Sequence, residues 1–141
     1  MTVAENVKPL PVPDPDSRPF WDACAEHRLV AQRCGDCGTW RFPPGGFCPA
    51  CSSRQAAWEP LAGTGVVQSF VVPHRAYSVA FEADLPYVIA HVEMDGTGGK
   101  VVVVGNVVGC VWTDVRVGLP VRVDFDDRAP GVAVPRFTPQ A

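Results

Sequence analysis

Two Cys-x-x-Cys pairs, Cys34-Gly35-Asp36-Cys37 and Cys48-Pro49-Ala50-Cys51, constrain this chain more than any other feature. Thiols two residues apart turn their sulfurs toward one point. A second pair, with ten residues between Cys37 and Cys48, completes a tetrahedral four-thiolate set. Gly38 follows the first pair and suits a knuckle that needs positive φ, while Pro49 stiffens the second pair through its fixed φ. The pattern predicts a bound metal with Cys34, Cys37, Cys48 and Cys51 as ligands. Zinc is favoured, although a rubredoxin-type iron site would use the same four ligands. Two other readings compete. Disulfides would need an oxidising compartment, and Met1-Thr2-Val3-Ala4-Glu5-Asn6 lacks the apolar core of a signal peptide. A catalytic dithiol normally shows one such pair beside a βαβ pattern, which is missing here. With all four positions taken, the metal keeps no open site for chemistry and is expected to be structural.

At 141 residues and 47% hydrophobic, the chain can bury one domain's core plus a small appendage. Its longest apolar run, Val101 to Val104, is strand-sized and far short of the roughly 20 residues of a membrane helix. The formal charge of −3 becomes −5 once four thiolates and one divalent ion are counted. A domain built to neutralise phosphates should be basic, which argues against nucleic acid as the main partner. With no targeting segment, the cytoplasm is the expected location.

Three segments are expected: a Pro-rich extended arm over 1–18, a helix plus zinc ribbon over 19–57, and a β-barrel over 58–141. The prolines from Val7 to Pro19 remove amide donors and favour polyproline-II geometry. Such an arm is either a disordered tail or a strip lying along a partner, for which Leu10 and Val12 supply apolar contact. Asp16 or Ser17 suits a helix N-cap, with Pro19 in the first turn. Phe20, Cys24 and His27 then share one face of a short helix ending near Arg28, and residues 29–33 lead as a strand into the first knuckle. Cys24 and His27 read as packing residues, since the thiolate set is already complete. Between the knuckles, Trp40, Phe42 and Phe47 are expected to cover the metal and keep water from the sulfurs, while Pro43-Pro44-Gly45-Gly46 makes a turn. Arg33, Arg41 and Arg54 form a weak basic surround, diluted by Asp36 and Glu59.

After Trp58-Glu59-Pro60 the pattern changes to short strands of period two. Strands are expected over 65–72, 87–94, 100–108, 120–125 and 132–137, with a hairpin turn at 95–99. The third is apolar on both faces, so one face enters the core and the other needs a cover, from the ribbon segment or a second protein. Gly105 and Gly109 suggest bends, and Val121, Val123 and Phe125 point inward from the fourth strand. Pro135 marks the last strand as an edge. The expected fold is mainly β: an N-terminal helix, a rubredoxin-like zinc ribbon, then a five-stranded OB-fold barrel. The helix usual between its third and fourth strands is reduced to Trp112-Thr113-Asp114-Val115, and a sandwich would share this strand pattern.

No catalytic residue is assigned. There is no Gly-x-Ser-x-Gly elbow, Gly-rich phosphate loop or His-Glu-x-x-His helix. Cys110, among Val107, Val108, Val111 and Trp112, reads as a packing thiol. The best polar cluster is His74, Arg75, Tyr77 and Phe81, on the loop after the first barrel strand. An arginine there can grip a phosphate or a carboxylate bidentately, or the loop simply caps the barrel mouth.

Taken in order, Pro19-Phe20-Trp21, Arg33-Cys34-x-x-Cys37-Gly38, Phe42-Pro43-Pro44 and Cys48-Pro49-x-Cys51 form a recognisable series. It continues through Gly63-x-Gly65-x-Val67-x-Ser69-Phe70, His74-Arg75, Pro86-Tyr87-Val88, Val117-Gly118-x-Pro120-Val121 and Pro135-Arg136-Phe137. From Pro13 onward the chain resembles the acyl-CoA-associated family with a rubredoxin-like zinc ribbon followed by an OB-fold, long labelled a domain of unknown function. The resemblance implies a non-catalytic accessory subunit of a thiolase-superfamily enzyme acting on acyl-CoA thioesters, in a hetero-oligomer built on a thiolase-like dimer. The large subunit would carry the catalytic residues, and the small one completes the assembly and helps hold CoA. Relatives serve a retro-aldol step in bacterial steroid side-chain degradation, acyl transfer or isoprenoid-precursor synthesis. Two alternatives stand beside this reading: a stand-alone acyl-CoA-binding protein, and a single-stranded nucleic-acid binder, since zinc ribbons and OB barrels also serve that purpose.

Overall fold

The computed structural model describes residues 7–140, so the first six residues of the expected arm and Ala141 lie outside it. Among the described residues, no helix is long and apolar enough to cross a membrane. The Pro-rich stretch runs without helix or strand up to a turn tied by Asp14 and Ser17. The Ser17 N–H donates to Asp14 Oδ1 at 2.7 Å and the Asp14 N–H donates to Ser17 Oγ at 3.1 Å. Helix α1, Arg18–Ala25, follows with proline in its first turn and buries Phe20, Ala23 and Cys24.

The helix stops at Ala25 rather than near Arg28. The His27 N–H bonds Cys24 O and the Arg28 N–H bonds Ala23 O, both at 2.9 Å, while His27 sits at φ +59°. These are the paired bonds of a Schellman end, whose left-handed position usually holds glycine. A histidine there conceals the stop, and it takes His27 off the helical face. The imidazole stacks on Phe125 with centroids 5.1 Å apart, and Nε2 lies 2.8 Å from Asp127 Oδ1, clasping the helix end to the barrel. Cys24 is fully buried and desolvation pushes its thiol up to about 12, so it packs, as expected.

Strands β1 (Val30–Cys34), β2 (Trp40–Arg41) and β3 (Ala56–Pro60) form an antiparallel sheet in the order β2-β1-β3. The boundary expected at 57/58 falls inside β3. Strands β4 (Thr64–Val71), β5 (Val88–Met94), β6 (Val102–Val107), β7 (Pro120–Ala129) and β8 (Val132–Pro139) close into a barrel in the order β4-β5-β6-β8-β7. That is a Greek-key OB barrel, not a sandwich. Strand β4 changes phase at a bulge between Val67 and Ser69. Gly65 and Val67 face inward before it and Phe70 after it, so neither alternating set serves the whole strand.

The last strand is not an edge. It pairs antiparallel with β7 and, through Val107 and Phe137, parallel with β6. Val108 N–H donates to Phe137 O at 2.8 Å across this seam. Pro135 shares Phe137's parity, so its backbone faces β6 where no ladder bond is drawn, and its missing N–H costs nothing. Gly105 makes the seam possible: a Cβ there would lie 2.9 Å from Phe137 Cε2 and 3.1 Å from Pro135 O.

One core runs through both parts. Phe20, Cys24, Leu29 and Ala31 join Val67, Val92, Met94, Val103, Val121 and Phe137 in a single buried cluster. The expected inward set Val121, Val123 and Phe125 packs there, with Val121 wholly buried. The outer face of β6 receives only a partial cover. Phe20, Trp21, Phe42 and Pro43 line an apolar groove of about 340 Å³ with Val102 and Val104, and Val104 stays 55% exposed.

Candidate functional site

The knuckles repeat one hydrogen-bond scheme. In the first, Cys34 N–H bonds Thr39 O at 2.8 Å and Gly38 N–H bonds Cys34 O at 3.1 Å. In the second, Cys48 N–H bonds Ser53 O at 2.8 Å and Ser52 N–H bonds Cys48 O at 2.9 Å. Gly38 takes φ +76°, as its position suggested, and Ser52 takes φ +63° at the equivalent place without glycine's freedom. Backbone N–H groups then aim at the sulfurs. Asp36 and Cys37 donate to Cys34 Sγ and Ala50 donates to Cys48 Sγ, all at 3.4 Å.

The sulfurs of Cys34, Cys37, Cys48 and Cys51 all lie within 4.8 Å of one another. Cys34–Cys51 and Cys37–Cys48 are each 3.6 Å apart, too far for a disulfide of about 2.05 Å. Four sulfurs about 2.3 Å from a shared tetrahedral centre would be about 3.8 Å apart, so the donor set fits a metal ion. Crowding alone divides their protonation. The Cys37 and Asp36 N–H groups pull Cys34 down to about 6. The Ser53 N–H favours the Cys51 thiolate, yet the Cys37 sulfur, desolvation and the other sulfurs push it up to about 12. A divalent ion would hold all four as thiolates.

The aromatic cover is weaker than expected. Cys34 and Cys48 are buried, but Cys37 and Cys51 are exposed. Phe42 turns to the helix, 5.6 Å from Phe20, and Phe47 is 58% exposed beneath Arg54. Shielding falls instead to the N–H···S bonds and the Thr39 hydroxyl, 3.2 Å from Cys37 Sγ. Nor is Arg41 part of a basic surface. It is buried, and its guanidinium donates to Gly45 O at 2.7 Å and Ser53 O at 3.3 Å. It thereby joins the Pro-Pro-Gly-Gly turn to the second knuckle. Arg41→Ala should cost about 2–3 kcal/mol, the worth of two hydrogen bonds from a buried charged group. A fall in melting temperature with both knuckles loosened in hydrogen exchange would show it; an unchanged melt would contradict this role.

A second site opens at the barrel mouth, in a cavity of about 340 Å³. Phe81, Tyr87, Trp112 and Cys110 give its walls apolar surface, and Lys8, Arg128 and Arg136 bring positive charge. Each cation has an acidic partner. Lys8 Nζ lies 2.5 Å from Asp84, Arg128 Nε 2.6 Å from Asp126 and Arg136 Nε 2.7 Å from Asp124. The Arg136 hydrogen bond holds the Asp124 carboxyl below the usual range. Burial and then the Asp114 charge push the Cys110 thiol up, so this half-buried sulfur is a poor nucleophile.

Of the loop residues singled out in the sequence, Phe81 lines this cavity, in a 3-10 turn over Val79–Asp84 started by the Ser78 hydroxyl. His74 stands outside it, edge-on to Trp112 at 5.0 Å. Arg75 and Tyr77 form an outward pair, 5.9 Å from guanidinium to ring, with Tyr77 84% exposed. Sequence reasoning missed Lys8, Arg128 and Arg136. The one signal for Arg128 was the charged alternation Arg122, Asp124, Asp126, Arg128 along β7, and Arg136 stood out only within Pro135-Arg136-Phe137 on β8.

Comparison with known proteins adds five findings. Residues 21–57 match the model of the ChsH2 rubredoxin-like zinc ribbon domain, and residues 58–126 match that of the ChsH2 C-terminal OB-fold domain. The chain is 38% identical over 134 residues to a probable enoyl-CoA hydratase alpha subunit of Thermomonospora curvata, covering 94% of this chain but only 40% of that protein's length. It is 37% identical over 98 residues to a DUF35 domain-containing scaffold protein of Methanocaldococcus jannaschii, 69% of this chain and 67% of that one. Among solved structures, an Ltp2-ChsH2(DUF35) aldolase superposes with a TM-score of 0.82 at 37% identity, over 92% of this chain and 98% of the other. A DUF35-family protein of Sulfolobus solfataricus shares the fold, with a TM-score of 0.64 at 15% identity.

Proposed function

This chain belongs to the ChsH2 zinc-ribbon/OB-fold (DUF35) family, and from that premise we propose that it is the non-catalytic, zinc-binding subunit of a thiolase-superfamily enzyme acting on acyl-CoA thioesters. The observation that carries the reading is its likeness, over 98% of the matched chain, to the Ltp2-ChsH2(DUF35) aldolase. Acyl transfer and retro-aldol carbon–carbon cleavage are the reactions proposed for the complex, with the chemistry on the larger partner. The hydratase alpha subunit and the scaffold protein among its relatives agree with a role inside a larger assembly.

Zinc is the proposed metal, held by Cys34, Cys37, Cys48 and Cys51, and when bound it supplies folding energy to the ribbon. Exposed apolar surface supports docking. Val71, Tyr77, Val79, Val111 and Val117 are each more than half exposed and offer apolar surface to a partner. His74, Arg75, Tyr77 and Phe81 are proposed as the face turned toward CoA or the partner. Co-expression with a thiolase-like protein from the same genome is expected to give one co-eluting complex. Two separately stable proteins that never co-elute would count against the proposal.

A further inference from the structure

The arm between Val7 and Pro13 is tied to the barrel by one side-chain ion pair. Lys8, Pro11 and Pro13 are half-buried, whereas Pro9, Leu10 and Val12 are exposed, Val12 by 91%. The ammonium of Lys8 meets Asp84 Oδ2 at 2.5 Å and sits 5.5 Å from the centre of the Phe81 ring. Both partners belong to the 3-10 turn Val79–Asp84, and Lys8, Phe81 and Asp84 all line the barrel-mouth cavity that also holds Cys110. The arm's other anchor is the Asp14–Ser17 turn at the start of α1.

We propose that residues 7–13 are a releasable strap across this cavity, latched by Lys8 onto Asp84 and Phe81 and hinged at the Asp14–Ser17 turn. Pro9, Pro11 and Pro13 make the segment semi-rigid, at about 3.1 Å per residue in polyproline-II form. A stiff strip held at two points does not crumple when one is lost. Freeing Lys8 swings the strip away and takes from the cavity wall the cation it supplies. The latch is weak enough to open. Its ion pair is more than a third exposed on both sides, and such pairs add little in water beyond the cation–π contact. A negatively charged group reaching Lys8 would compete directly with Asp84. This inference rests on cis contacts alone and stands whether or not the proposed partner is right.

The test uses the metal-loaded full chain. Amide exchange is followed over residues 79–84, and Cys110 alkylation by iodoacetamide is read on its own peptide, apart from the knuckle cysteines. Lys8→Glu should raise both rates about fivefold, the scale expected when an exposed ion pair and a cation–π contact are lost together. Lys8→Glu combined with Asp84→Lys, which rebuilds the pair with its signs exchanged, should return both toward the parent rates. If either rate in Lys8→Glu stays at the parent value, or the double exchange fails to restore it, the strap is refuted.

Discussion

Cys37→Ser is expected to abolish stoichiometric metal binding and melt the ribbon while the barrel stays folded. The knuckle end of the ribbon has little else to hold it. Its β2 strand is two residues long, and the buried residues nearest the knuckles are Cys34, Cys48 and Arg41. For four-thiolate sites of this kind, metal binding supplies about 10 kcal/mol or more of folding free energy. Removing one thiolate also leaves three crowded sulfurs without a shared counter-charge. The barrel has its own closed hydrogen-bond circuit and keeps Val67, Val92, Met94 and Phe137 in its core. Metal analysis should therefore fall to background in the variant, with amide protection lost across β2 and the knuckle ends of β1 and β3 and retained in β4 to β8. Treating the parent with a strong chelator should reproduce the pattern. A variant that keeps its metal and its ribbon protection would overturn the ligand assignment.

Phe137→Ala should be the most damaging single change in the barrel. The ring is wholly buried, stands at the parallel β6–β8 seam and fills the space that Gly105 leaves open. Phe-to-Ala changes in well-packed cores cost about 3–5 kcal/mol in lost transfer energy and cavity. In a chain of this size that lowers the melting temperature by roughly 10–20 °C. The reciprocal change, Gly105→Ala, puts a methyl against Phe137 and Pro135 O at about 3 Å, and overpacking there should cost about 1–3 kcal/mol. Thermal melts of both variants decide the matter. Losses under about 1 kcal/mol at Phe137 would mean that the seam does not hold the barrel shut.

What the sequence disclosed and what it withheld divide along the reach of the contacts. Cys34, Cys37, Cys48 and Cys51 were legible because a knuckle is local: two residues of spacing and one left-handed backbone position define it. The inward set Val121, Val123 and Phe125 was legible because alternation is written within one strand. Strand β8 was misjudged as an edge because its tie to β6 is a single parallel pairing about thirty residues away in sequence, and Pro135 looked like a reason against one. The helix end was missed because His27 holds a place where glycine is the usual sign. Arg41 looked like surface charge; nothing local announces that a guanidinium will bond two carbonyls indoors. The barrel-mouth cavity was the hardest to foresee. It draws Lys8, Phe81, Cys110 and Arg136 from four separate segments, and only the closed barrel brings them together.

An accessory subunit is defined by what it fails to do alone. Thioester turnover should be measured on the purified, metal-loaded chain, then again after adding the proposed thiolase-like partner. No turnover above background from the chain alone, with activity in the mixture that exceeds the partner's own, is the predicted result. Sustained turnover by the lone chain, scaling with its concentration and free of any larger subunit, would contradict the account.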